Sequence, residues 1–134
     1  MGSVTATVTT TVTVPDTAVL SMIDTAGYGI AYWAERADID EYKRTYTITP
    51  NEEARFYPQY NMAYELSFDA IVDTLCEIAV GKHKVGYPRE YAQDWLKEIQ
   101  SENEDTRKYA GGTLDTDIMD VVIQIACFGE VVFG

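Results

Sequence analysis

The chain opens with Val4-Thr5-Ala6-Thr7-Val8-Thr9-Thr10-Thr11-Val12-Thr13-Val14-Pro15, and the residues that follow abandon its rhythm. Val4, Ala6, Val8, Thr10, Val12 and Val14 fall on one face, and Ser3, Thr5, Thr7, Thr9, Thr11 and Thr13 on the other. β-Branched residues at period two predict a strand with one buried and one wet face. Pro15 ends the strand and Asp16 is placed to cap a helix; Val19, Leu20, Ile23 and Ala26 then recur at helical spacing, and Gly27 closes it. The period thus changes from 2 to 3.6 across one proline, strand giving way to helix.

Working outward, Ile30, Tyr32 and Ala34 alternate with Ala31, Trp33 and Glu35, and residues 42–49 alternate again. This predicts a hairpin over about 30–49 with its turn in Asp38-Ile39-Asp40-Glu41. Pro50 ends it, and residues 51–61 read as a polar, aromatic loop. Ser67 is placed to cap a helix bearing Phe68, Ile71, Val72, Leu75, Cys76 and Ala79, stopped by Gly81. A third helix carries Tyr91, Ala92, Trp95, Leu96 and Ile99 on one face, and 101–112 reads as a charged loop. The last helix, from about Thr116 to Phe128, is apolar around most of its circumference. Asp117, Asp120 and Gln124 form its only polar stripe, which makes it central. Val131 to Phe133 read as a short final strand. Without a βαβ rhythm the expectation is one α+β domain over 1–134. It has a small antiparallel sheet (N-terminal Val/Thr strand, hairpin about 30–49, short C-terminal strand) packed against about four helices.

Composition narrows the function classes. The 134 residues are 46% hydrophobic and 24% charged, with a net charge of −12. Such a chain repels phosphates and anionic lipid surfaces, so no direct nucleic-acid or membrane partner is expected. The N-terminus lacks a secretory signal and no stretch reaches the roughly 20 apolar residues of a membrane span, which points to the cytoplasm. Cys76 and Cys127 sit in helix interiors and read as small buried hydrophobes.

No catalytic constellation emerges. His83, the only histidine, stands between Lys82 and Lys84 with no nucleophile motif pointing to it. Gly81-Lys82-His83-Lys84 follows a helix instead of preceding one, so it faces the wrong dipole end for a phosphate loop. Asp38-Ile39-Asp40-Glu41 and Asp115-Thr116-Asp117 lack the alternating oxygens and distal Glu of a calcium loop. The expectation is a non-enzymatic protein with no cofactor and no metal.

Charge placement carries more information. Residues 89–134 hold ten acids and four bases, half the net charge. Glu90, Asp94 and Glu98 repeat on the outer face of the third predicted helix, followed by Glu102, Glu104 and Asp105. Carboxylates at helical repeat suit a basic partner surface, including the groove of a nucleic-acid-binding protein whose ligand they would mimic; a merely solubilising face is the alternative. Seven of the ten tyrosines fall between Tyr28 and Tyr64. Tyr28, Tyr32, Trp33 and Tyr46 would suit an alternative role as a stacking cup for a nucleotide-like ligand. The regular Val/Thr strand invites pairing with a second copy, hence a homodimer.

Three stretches carry a resemblance: Thr9-Thr10-Thr11-Val12-Thr13-Val14-Pro15; Asp24-Thr25-Ala26-Gly27-Tyr28-Gly29-Ile30-Ala31-Tyr32-Trp33; and Ile123-Gln124-Ile125-Ala126-Cys127-Phe128-Gly129-Glu130. Together they resemble small accessory proteins of actinobacterial bacteriophages, over most of the chain. They contain no catalytic signature, so no residue role transfers. The resemblance implies an accessory protein in the cytoplasm of an infected host, binding and inhibiting a host or anti-phage factor. A structural role in the virion is a third reading.

Overall fold

A computed structural model describes residues 2–7 and 11–134. The chain is α+β, with two small antiparallel sheets and six α-helices among the described residues. The opening stretch is not one strand. β1 (Ser3–Thr7) and β2 (Thr11–Pro15) pair antiparallel with Val4 opposite Val14 and Thr5 opposite Thr13. Period two survives this reversal, because a strand folded on itself keeps its valines on one face. Val4, Val12 and Val14 are buried, while Thr5 and Thr13 are exposed. Without a Gly or Asn-Gly turn signal, alternation alone cannot distinguish a long strand from a hairpin.

α1 (Asp16–Gly29) begins straight after Pro15, two residues longer than Gly27 implied. Asp16 is not its cap. Its carboxylate is buried and takes both Arg44 Nε (2.9 Å) and an Arg44 terminal nitrogen (3.0 Å), and that nitrogen also donates to Ser3 O. One guanidinium thus ties the first sheet and α1 to the second hairpin.

That hairpin is β3 (Ala34–Asp40) and β4 (Thr45–Pro50), extended by β5 (Tyr64–Ser67) in the order β3-β4-β5. The chain reverses at residues 41–44, later than predicted and sharing only Glu41 with the acidic stretch; Arg44 takes the left-handed φ of 59° and Lys43 N donates to Asp40 Oδ1. Asp38 and Asp40 therefore belong to a strand, and β5 lies in a segment without a strong alternation signal. α2 (Glu52–Arg55) and a single 3₁₀ turn (Pro58–Tyr60) fill the predicted aromatic loop.

α3 (Phe68–Ala79) is capped by Ser67, whose Oγ accepts from Ala70 N, and Gly81 follows it at φ 84°. α4 (Pro88–Ile99) buries Ala92, Trp95 and Ile99. The charged stretch after it holds a short α5 (Glu104–Lys108), capped by Asn103. α6 (Thr116–Phe128) has the predicted span; it starts at the Asp115 cap and ends at Gly129 in the left-handed region. It packs against α1, α3 and β5, and the α1 contact is close: a Cβ on Gly29 would lie 2.1 Å from Thr116 O. No helix among the described residues is long and apolar enough to cross a membrane.

Burial pushes the Cys76 thiol up to about 11 and the Cys127 thiol up to about 12, and no disulfide joins them. Both are poor nucleophiles at neutral pH. This makes a clean cysteine test of the first hairpin available. A Thr5→Cys/Thr13→Cys variant should oxidise within one chain and raise the thermal midpoint, because the two positions face each other across the β1–β2 ladder. Disulfide-linked dimers on non-reducing electrophoresis would instead indicate pairing between chains.

Candidate interaction surface

The polar stripe foreseen on α6 is divided: Asp117 stays exposed, and the other two residues turn inward. Asp120 and Gln124 are buried, and the two residues organise the segment around them. Trp33 Nε1 donates to Asp120 Oδ1 at 2.8 Å, and the Tyr32 hydroxyl donates to Asp120 Oδ2 at 2.6 Å. Gln124 Nε2 donates to Asp120 Oδ1 (2.9 Å) and Phe133 O (3.1 Å). Gln124 Oε1 accepts the backbone N–H groups of Val132 (2.8 Å) and Phe133 (2.7 Å). Val131 to Phe133 do not form the expected strand: a side-chain amide, not a neighbouring strand, engages the backbone of Val132 and Phe133. Phe133 then stacks on Trp33 with centroids 5.4 Å apart, and Phe128 closes against both.

The four aromatics proposed as a ligand cup are thereby divided. Trp33 and Tyr46 are each only 2% exposed and present no open ring face for stacking. Tyr32 is half exposed but tethered to Asp120, and Tyr28 is 78% exposed on α1. Burial, then the Asp120 carboxylate, holds the Tyr32 phenol well above the usual tyrosine range; burial raises Tyr46 to about 12. The alternation signal placed these rings on a hairpin, but the residues at 30–33 form turns whose indole serves the core. A separate groove of about 490 Å³ lies between α1 and residues 108–114, bordered by Thr17, Ser21, Thr25, Lys108 and Tyr109.

The acidic candidates are placed differently. Glu90 and Asp94 are exposed and Glu98 half-buried, one helical turn apart along α4, on the side away from Ala92, Trp95 and Ile99. Glu102, Glu104 and Asp105 are exposed beyond its C-terminal end. Glu104 and Asp105 occupy the first turn of α5, where the helix dipole favours them. Tyr87 and Tyr91 stack edge to face beside Glu90, 57% and 36% exposed. The four ion pairs among the described residues are Arg36–Asp38, Arg44–Asp16, Arg55–Glu35 and His83–Glu77. None neutralises an α4 carboxylate. His83, half-buried, is thus held by Glu77 at 2.9 Å.

Sequence reasoning missed a second acidic row. Asp69, Asp73 and Glu77 repeat every four residues on α3, which packs beside α4. The signal was present as the complement of the buried α3 face. Burial, then Asp69 and Glu77, raises the Asp73 carboxyl above its ordinary value.

Comparison of the chain with protein-family models, with curated proteins and with solved structures finds no match in any of the three.

Two outcomes follow from this geometry. Asp120→Ala should cost about 1–3 kcal/mol in chemical unfolding, since it strands the buried Trp33 N–H, while Gln124 keeps Phe133 O as an acceptor. Asp73→Asn should stabilise the fold at pH 7. A carboxyl whose folded pKa is raised contributes stability below its unfolded pKa and loses it as pH rises through the folded value. The gain over wild type should therefore shrink as pH falls into the carboxylate range, read as the difference in thermal midpoint across a pH series.

Proposed function

We propose that this protein acts by binding, as a small acidic accessory protein that engages a basic surface on a host or anti-phage factor and inhibits it. The observation that carries this reading is the outer face of α4. Glu90, Asp94 and Glu98 run along it without a cation partner, and the exposed Tyr87–Tyr91 pair lies beside them. Unneutralised carboxylates steer a cationic partner and set its register, while tyrosines supply rigid contact area at low entropic cost. A nucleic-acid-binding groove is one partner surface with the complementary charge, so mimicry of nucleic acid charge fits within the same proposal. The resemblance to phage accessory proteins supports the biological setting, the cytoplasm of an infected bacterium.

The stacking-cup alternative has less support, because two of its four rings are in the core. A small-ligand reading would move to the groove beside Thr17, Ser21 and Thr25.

The test is a charge reversal. Glu90→Lys/Asp94→Lys/Glu98→Lys changes residues outside the core and should leave the fold intact by circular dichroism. Affinity capture with the wild-type chain should enrich a basic protein from nuclease-treated host lysate, and titration with that purified partner should show weakening by about tenfold or more in the variant. The variant's affinity should also depend less on salt. Equal affinity and equal salt slope would sink the acidic-surface mechanism, and a ligand-sized mass excess in native mass spectrometry of the wild type would favour the groove instead.

A further inference from the structure

β3 is the longest strand among the described residues, and it stands at the edge of its sheet, bonded to β4 alone. From Glu35 to Asp40 every residue is exposed, and no backbone hydrogen bond outside the β3–β4 ladder reaches them. Sheet edges of this kind pair readily unless charge prevents it. Here the charge pattern is selective. Asp38 and Asp40 sit opposite Thr47 and Thr45, and Arg36 opposite Thr49, so these three charges share the outer face of the sheet. Ala37 and Ile39 sit opposite Ile48 and Tyr46 on the inner face.

We propose that β3 is a self-complementary edge that pairs antiparallel with β3 of a second copy of this chain, centred on Ala37. A two-fold axis normal to the sheet keeps each face on its own side, so the register must centre on a residue. Centred on Ala37, Arg36 of each copy lies opposite Asp38 of the other, twice over, and these pairs lie in the regular part of β3, clear of the bulge between Ala34 and Arg36. Every other centre from Glu35 to Asp40 opposes like charges: Glu35 on itself, Arg36 on itself, Asp38 on itself, Asp38 on Asp40, or Asp40 on itself. Directly opposed side chains in an antiparallel pair have Cβ atoms about 4.5–5.5 Å apart, within ion-pair reach. Within one chain Arg36 Nε already contacts Asp38 Oδ2 at 2.5 Å, which holds both side chains on the outer face before a partner arrives. Ala37 on the axis brings two methyl groups together and no bulk. The edge charges thus block all registers but one.

The proposal moves self-association away from the N-terminal Val/Thr stretch, whose described strands pair within the chain. It does not depend on the acidic α4 face.

Sedimentation equilibrium of the full chain at about 100 µM tests it, with Arg36→Asp and the swap Arg36→Asp/Asp38→Arg beside the wild type. Arg36 is well exposed, so neither variant disturbs the core. The wild type should be a dimer. Arg36→Asp places two Asp–Asp oppositions in the register and should weaken dimerisation about tenfold or more. The swap restores both opposite-charge pairs and should restore the dimer. A monomeric wild type overturns the proposal, as does a dimer indifferent to Arg36→Asp or one the swap fails to rescue.

Discussion

α6 must be covered on nearly every side, and the other elements are arranged to meet that requirement. Ile118, Met119, Val122, Ile123 and Ile125 are buried, and so are Asp120 and Gln124, the two residues that would ordinarily give such a helix a wet face. Burying a carboxylate is costly unless its hydrogen bonds are replaced. The Trp33 indole, the Tyr32 hydroxyl and the Gln124 amide supply them. Because Gln124 also holds the backbone at Val132 and Phe133, a single helix face orders both the turn after α1 and the last residues of the chain. Gly29 permits this: any side chain there would collide with the first turn of α6.

A second junction joins what α6 does not reach. Arg44 leaves the β3–β4 turn in a left-handed conformation and meets Asp16 at the start of α1 with a two-point contact. Its guanidinium also lies over the Phe68 ring, 5.7 Å from the centroid. The fork geometry of arginine suits this junction in a way that lysine could not reproduce, since carboxylate, carbonyl and ring are engaged by one planar group.

The acidic surface is paid for in stability. At a net charge of −12 the chain repels itself, and the rows on α3 and α4 concentrate that repulsion on neighbouring helices. Burial first, and then this repulsion from Asp69 and Glu77, raises the Asp73 carboxyl. On α3, Glu77 is engaged by His83, whereas on α4 Lys97 lies in the same helix as Asp94 and Glu98 without forming an ion pair to either.

The sequence by itself determined the α+β class, the change from strand to helix at Pro15, and the span of α6. It also determined the Ser67 cap and the outward position of Glu90 and Asp94. Each of these rests on contacts within a few residues, where spacing and capping chemistry are local. Only the tertiary structure decided that the Val/Thr stretch folds back, that Asp16 binds Arg44 instead of capping its helix, and that Val132 and Phe133 are held by a glutamine. It likewise decided that Trp33 and Tyr46 face inward while the charges of β3 line an open edge. Each of these depends on which distant group arrives opposite, and period two or an isolated carboxylate reads the same whichever partner that is.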